Sequence, residues 1–259
     1  MEFFEATIKG REDLDPGYFV LRLGGCEALA DAAPGQFVMV RGDWGRDPLL
    51  PRAVSLLAVG PAGEAALLLK QVGRGTALLG RLAPGTRVRV LGPLGTSFPA
   101  PRADRHDLLV AGGCGVPPLY MHAERAVQQG LAGHVELFIG GRGGCDLPLL
   151  ARFERLGVRV HVATEDGSRG LRGLVTDALQ RRLVEVPAGA TLLCCGPNAM
   201  LEAVARLARA KALPCLVSLE AGMACGLGAC LGCAVPGRSR PYLYVCKDGP
   251  VFDAEEVYA

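Results

Sequence analysis

The segment Leu108-Leu109-Val110-Ala111-Gly112-Gly113-Cys114-Gly115-Val116-Pro117-Pro118 decides the reading of the fold. A short apolar strand runs into glycines, and prolines then open a helical stretch from Pro118 to Gln129. Glycines admit a close approach to a dinucleotide pyrophosphate, and the start of the helix supplies a positive field. Prolines replace the third glycine of the ordinary Rossmann fingerprint, so the match to that fingerprint is poor.

Toward the carboxyl end, apolar strands at Val135–Ile139, Val158–Ala163 and Thr191–Cys195 alternate with helical stretches at Leu147–Leu156, Leu174–Leu183 and Ala199–Ala212. Such alternation predicts a parallel α/β sheet. Cys195-Gly196-Pro197 then places a thiol and a tight turn at the carboxyl edge of that sheet, where open α/β folds bind ligands. The plainer reading of Cys195, a small buried hydrophobe, also suits Cys26, Cys145, Cys194 and Cys215.

Toward the amino end, a proline- and charge-rich link at 99–107 separates the sheet from a region of short runs and turn signals. The turns include Asp15-Pro16-Gly17, Ala33-Pro34-Gly35, Gly60–Gly63 and Ala83-Pro84-Gly85, and strand-length runs occur at Gln36–Val40, Ala66–Lys70 and Arg87–Leu91. Together they predict a small antiparallel barrel. Within it, Arg52-Ala53-Val54-Ser55 offers a guanidinium fork for a pyrophosphate and a hydroxyl for a flavin ring, though a surface arginine beside a strand serine reads the same. Gly73-Arg74-Gly75-Thr76 precedes a helix-like stretch, Ala77–Arg81, and so offers backbone N–H groups and a capping threonine to a phosphate.

The last stretch, from about Leu213, loses the strand–helix alternation and holds Cys225, Cys230, Cys233 and Cys246 in the spacing C-x4-C-x2-C-x12-C. The first three match the plant-type [2Fe-2S] loop. Gly226, Gly228, Ala229 and Gly232 leave room for backbone N–H groups to reach the sulfurs. A four-thiolate zinc site is the alternative, but zinc modules usually present two separate short pairs. The fourth cysteine follows too closely for a complete ferredoxin domain and predicts a miniature module.

The 259 residues are 50% hydrophobic, enough for a sizeable core, and their net charge of +2 arises from interspersed charges. No basic footprint marks a nucleic-acid or membrane partner. Acids in Met1-Glu2-Phe3-Phe4-Glu5 and the lack of a long apolar run lead to the expectation of a cytoplasmic protein, in which ten cysteines point to metal or cofactor rather than disulfides.

Taken in order, the RxxS, GxGT, AGGxGxxP and CGP motifs resemble the ferredoxin reductase superfamily. Ser218-Leu219-Glu220, the cysteine loop from Met223 to Cys233, and Val245–Glu255 narrow the resemblance to the electron transfer subunits of dihydroorotate dehydrogenase B. The likeness extends over essentially the whole chain, with Gly92–Gly95, Thr164–Ser168, Gly170, Gly173 and Thr176 also fitting. Ala53 departs from it, replacing the family's usual proline, and Ala221-Gly222 replace a bulkier pair.

The resemblance implies an FAD-binding β-barrel at 1–100, an NAD-binding α/β domain at 101–212 and a [2Fe-2S] module at 213–259. It places Arg52, Ala53, Val54, Ser55, Leu68, Leu69 and Lys70 along the FAD, with Gly75 and Thr76 at its pyrophosphate. Gly112, Gly113, Gly115, Pro117, Cys195, Gly196 and Pro197 would meet NAD, and Cys225, Cys230, Cys233 and Cys246 would hold the cluster. No acid–base residue of the protein is then required. It further implies an FMN-bearing TIM-barrel partner that oxidises dihydroorotate to orotate in pyrimidine synthesis, in a heterotetramer of two plus two subunits, electrons passing through cluster and FAD to NAD. Small subunits of a bifurcating ferredoxin:NADP oxidoreductase or of a hydrogenase reductase would carry the same cofactors. A zinc-stapled interaction protein is the alternative without catalysis.

Overall fold

Alternating exposure shows how the barrel forms. In the strand Arg87–Leu94, Arg87 and Arg89 face solvent while Val88 and Val90 point inward, as a half-buried strand requires. The computed structural model describes residues 1–14 and 16–258, so Asp15, the first residue of one expected turn, lies outside them. Six strands, β1 (Glu2–Asp13), β2 (Tyr18–Gly24), β3 (Phe37–Gly42), β4 (Arg52–Val59), β5 (Glu64–Lys70) and β6 (Arg87–Leu94), close a barrel in the order β1-β2-β5-β4-β3-β6. Every pairing is antiparallel. The interior is filled by Ile8, Phe19, Leu21, Val38, Val40, Leu56, Leu67 and Val90.

Helix α1 (Arg74–Gly80) begins three residues earlier than the expected helical stretch at Ala77. Thr76 is therefore inside its first turn and not at the cap, and its hydroxyl accepts the N–H groups of Val72 and Gly73 at 3.1 and 3.2 Å.

The second layer follows as β7 (His106–Gly112), α2 (Val116–Gln128), β8 (Val135–Gly141), α3 (Leu150–Leu156), β9 (Arg159–Thr164), β10 (Leu171–Arg172), α4 (Val175–Arg182), β11 (Ala190–Cys195), α5 (Asn198–Ala210) and β12 (Cys215–Ser218). The expected helix at Leu147–Leu156 is shorter, since Pro148 breaks its first turn and Leu149 enters with φ +64°. Leu108, Val110, Leu192 and Cys194 face α4 and α5, while Leu109, Ala111, Leu193 and Cys195 face α2 and α3. The two adjacent thiols thus point to opposite sides of the sheet.

Alternation was expected to end near Leu213, yet the sheet continues beyond it. Its order is β10-β9-β8-β7-β11-β12-β15, parallel except for β15 (Val251–Asp253), which returns antiparallel on β12. Strands of four and three residues are too short to display a period in the sequence. Between them the hairpin of β13 (Ala234–Pro236) and β14 (Tyr242–Tyr244) carries the cysteine segment, and α6 (Ala254–Val257) closes the described chain. The end of the chain is tied to the barrel, with the Thr96 N–H donating to Gly249 O at 2.7 Å and the Val251 N–H to Thr96 Oγ1 at 3.1 Å. Among the described residues no helix is long and apolar enough to cross a membrane.

Candidate functional site

Strand order reverses between β7 and β11, with β8 on one side of β7 and β11 on the other. Such a switch point leaves a crevice beyond the carboxyl ends of the strands. The loops after β7 and β11 meet there so closely that a Cβ on Gly115 would lie 2.2 Å from the Cys195 carbonyl oxygen. Gly112 likewise packs against Pro197, where a Cβ would stand 2.8 Å from its Cδ. Beyond these loops opens a cavity of about 630 Å³ lined by Gly112, Gly113, Gly115, Gly196 and Pro197. Further along, the lining changes to Gly140, Gly141, Arg142, Glu165 and Gly173–Thr176.

A second groove, of about 360 Å³, runs over the barrel and is lined by Arg52, Ala53, Val54, Ser55, Leu68, Leu69, Lys70 and Thr76. Gly75 does not line it but makes room for Arg52, whose Nε would be 2.0 Å from a Cβ at that position. Pro117 and Cys195, expected beside the nicotinamide, line this groove, at the side where it joins the larger cavity. Lys70, Cys114 and Glu220 line both.

Three residues that line the larger cavity, Lys70 at this junction with Tyr18 and Asp146, are linked across the barrel and the sheet. The Tyr18 hydroxyl donates to Asp146 Oδ1 at 2.6 Å, while the Lys70 ammonium donates to that oxygen at 2.9 Å and to the Tyr18 hydroxyl at 3.0 Å. Burial foremost, then the bond to Asp146, pushes the Tyr18 phenol up. Burial works against Asp146, but the bonds from Tyr18 and Lys70 prevail and hold its carboxyl below the usual range. Glu220 reaches into the open junction yet is crowded by protein, and this desolvation pushes its carboxyl up. Sequence reasoning noted Glu220 only as part of a resemblance and missed Tyr18, Asp146 and Arg142, because no local motif marks a lone side chain that converges on a site from a distant strand or loop.

Glu220, Ala221 and Met223 line the barrel groove and lead directly into Cys225. Gly226 packs on Met39 and Leu94 of the barrel, where a Cβ would come within 2.6 Å of the Met39 side chain. The cysteine loop is therefore seated against the barrel. Its backbone turns inward: the Leu227 N–H approaches Cys225 Sγ at 3.3 Å, the Cys230 N–H reaches it at 3.5 Å, and the Gly228 N–H approaches Cys246 Sγ at 3.1 Å. N–H groups of Leu227 and Cys230 draw the Cys225 thiol down to about 6. Burial, reinforced by Cys233, pushes Cys246 up to about 12.

The Cys233 and Cys246 sulfurs lie 3.3 Å apart in the interior, while nearer the surface the Cys230 backbone N–H reaches Cys225 Sγ. Among the described residues no three His, Cys, Asp or Glu side chains gather as around one ion. Four thiols under backbone N–H groups, two of them 3.3 Å apart and no three gathered about one point, suit a centre of two irons, each taking two sulfurs, better than one tetrahedral zinc. The donor set therefore fits the cluster expected from the spacing.

Comparison with known proteins agrees with this geometry. Residues 220–258 match the iron–sulfur cluster binding domain of dihydroorotate dehydrogenase B, and residues 109–206 match the oxidoreductase NAD-binding domain. Over 256 residues the chain is 44% identical to the dihydroorotate dehydrogenase B (NAD(+)) electron transfer subunit of Geobacillus kaustophilus, covering 97% of this chain and 96% of that one. The chain belongs to this family of electron transfer subunits. A member from Listeria innocua is 37% identical over 260 residues, covering 97% and 96% of the two chains. Among solved structures, one of an NADH-dependent reduced ferredoxin-NADP oxidoreductase superposes with a TM-score of 0.83 at 28% identity, covering 97% of this chain and 89% of that one. A ferredoxin NADP+ reductase from Neisseria gonorrhoeae with bound FAD and NADP shares the fold, with a TM-score of 0.69, 18% identity and coverage of 82% and 92%. The dihydroorotate dehydrogenase B electron transfer family thus combines here a closed antiparallel barrel, a mainly parallel sheet and a cysteine loop between them.

Proposed function

We propose that this chain is the NAD-linked, electron-transferring subunit of a dihydroorotate dehydrogenase, using an iron–sulfur cluster, FAD and NAD. The observation that carries the reading is the continuity of Glu220, Ala221 and Met223, which line the barrel groove and run straight into the cysteine loop. In such a chain a bound flavin exchanges hydride with nicotinamide and single electrons with a cluster.

Each residue then has a physical task. Arg52, seated on Gly75, presents its fork to the FAD pyrophosphate beside Thr76, and Ser55 offers a hydroxyl to the flavin ring. Ala53 and Val54, with Leu68 and Leu69 on the neighbouring strand, exclude water from the groove. Lys70, held by Tyr18 and Asp146, keeps a positive charge between groove and cavity. Gly112, Gly113 and Gly115 allow the nucleotide to lie on backbone, with Pro117, Cys195, Gly196 and Pro197 around its nicotinamide end. Glu220 stands at the junction, where desolvation pushes its carboxyl up. Cys225, Cys230, Cys233 and Cys246 hold the [2Fe-2S] centre.

The chain divides, in this reading, into a barrel domain at 1–100, a nucleotide domain at 101–212 and a cluster module at 213–259, the last anchored by β12 and β15 to the sheet of the second. The partner is a catalytic subunit that carries FMN and oxidises dihydroorotate, two copies of each forming a heterotetramer in the cytoplasm. All ten cysteines are free, which suits a reducing compartment.

Anaerobic purification with flavin and iron supplied tests the reading. The expected result is bound FAD, about two irons and two acid-labile sulfides per chain, and dihydroorotate-dependent NAD+ reduction once an FMN-bearing partner is added. Absence of FAD, zinc in place of iron, or isolation with a larger flavin and iron–sulfur subunit and no dihydroorotate activity would overturn it.

A further inference from the structure

Nicotinamide changes its charge when it accepts hydride. The oxidised ring is a cation and the reduced ring is neutral, so a fixed charge beside the ring biases a site toward one redox state.

Such a charge stands at the end where cavity and groove join. Lys70 lines both, yet its ammonium is fixed on the cavity side, because its two partners, the Tyr18 hydroxyl at 3.0 Å and Asp146 Oδ1 at 2.9 Å, belong to residues that line the cavity and not the groove. The ammonium also sits 4.5 Å from the centre of the Tyr18 ring. Tyr18 in turn lies against the nucleotide loop, where a Cβ on Gly113 would come within 3.4 Å of its hydroxyl. By itself this ammonium would repel an oxidised nicotinamide placed at the junction.

Asp146 supplies the offset. It reaches the lysine from the loop after β8, and its backbone is held on both sides: its N–H donates to Gly143 O at 2.9 Å, and its carbonyl oxygen would stand 2.7 Å from a Cβ on Gly141. One carboxylate oxygen takes both the ammonium and the phenol, at 2.9 and 2.6 Å. The phenol adds no charge, since burial and the bond to Asp146 push its titration up. Lysine and aspartate therefore cancel on the cavity side. Arg142 and Glu220 also line the cavity but take no part in this pair.

We propose that Asp146 is the counter-charge by which this chain admits the oxidised, cationic nicotinamide, cancelling the Lys70 ammonium beside the ring. The inference rests on reading the larger cavity as the nicotinamide site. The two side chains are 37% and 24% exposed, so water screens them in part and the effect on relative affinity is about three- to tenfold.

Titration of the flavin- and cluster-loaded chain with NAD+ and with tetrahydro-NADH, a neutral analogue of the reduced form that cannot deliver hydride, measures this preference without turnover. At equal flavin content, the preference for NAD+ over the analogue is expected to fall by about three- to tenfold in Asp146→Asn and to rise by about as much in Lys70→Met. In the double variant it is expected to return to within about twofold of wild type. Tyr18→Phe, which removes a hydrogen bond and no charge, is expected to leave it in place. An unmoved ratio in either single variant, whether both ligands weaken together or neither does, would reduce the pair to a mechanical clasp and overturn the proposal. A ratio that moves the same way in both single variants, or as far in Tyr18→Phe as in Asp146→Asn, would do the same. Binding of neither nucleotide by the wild type would instead overturn the reading of the cavity, and the inference with it.

Discussion

Gly115 and Cys195 stand back to back, with a Cβ on the glycine falling 2.2 Å from the Cys195 carbonyl oxygen and 2.5 Å from the Gly196 nitrogen. Both obstacles are backbone, so no side chain can rotate away. Gly115→Ala must push the β7 and β11 loops apart, at a cost of about 1–3 kcal/mol for overpacking. A lower melting temperature and at least about tenfold weaker NAD binding are expected, the first read by thermal denaturation and the second by titration.

Gly75→Ala tests a different contact of the same kind. Here the obstacle is the flexible guanidinium of Arg52, 2.0 Å from the added Cβ at Nε. The barrel should tolerate the change, because the arginine can swing out. Its fork would leave the groove, so bound FAD should fall while the melting temperature of the flavin-free chain stays within a few degrees of wild type. Flavin released per mole of protein, measured by absorbance, decides the matter.

Cysteine substitutions should separate cluster assembly from packing. Cys230 is exposed, whereas Cys233 is 2% exposed and 3.3 Å from Cys246. Cys230→Ser and Cys233→Ser should both deplete iron and acid-labile sulfide. Only the second buries a hydroxyl in an apolar cluster, for a cost of about 1–3 kcal/mol, so in the metal-free chains only Cys233→Ser should melt measurably earlier. Elemental analysis alongside melting curves would show both effects.

Far from the cofactor edge, Glu136 gathers His106 at 3.1 Å, His161 at 2.9 Å and Arg182 at 2.8 Å. Burial raises its carboxyl, but the hydrogen bonds from Arg182 and His161, with the nearby positive charge, outweigh that and hold it at about 2, against 4.5 when unperturbed. A depressed carboxyl contributes stability that is complete above the unfolded value and disappears as pH falls through the folded one. That contribution is on the order of 3 kcal/mol and should fade between about pH 5 and pH 2. Glu136→Gln should melt earlier than wild type at pH 7, and the gap should close as the buffer is taken toward pH 3.

Much of this arrangement was legible in the residues. The glycine loop after Leu108–Ala111, the CGP turn and the cysteine spacing are local signals, since each encodes a backbone conformation or ligand set within about a dozen residues, and the first two meet at the carboxyl edge of the parallel sheet. Less legible were elements whose pattern is too short or whose purpose is remote. β12 and β15 span four and three residues, and β1 carries outward-facing charges along most of its length, so neither a run nor an alternation announced them. The helix after Pro148 was overextended for a local reason, the missing N–H and ring of proline.

The sequence by itself determined the kinds of parts: a barrel, a parallel sheet and four thiols in a cluster spacing, because hydrophobic period, turn residues and ligand spacing are properties of neighbouring residues. Only the tertiary structure decided how they meet. Reversal of strand order at β7 and β11 opens the cavity, Tyr18 and Lys70 reach Asp146 from strands far away in the chain, and β15 returns the chain beyond the cysteine loop to the sheet, beside the barrel groove. Those junctions depend on packing between distant segments, whose free energy is a property of the assembled surfaces and is written in no single stretch of chain.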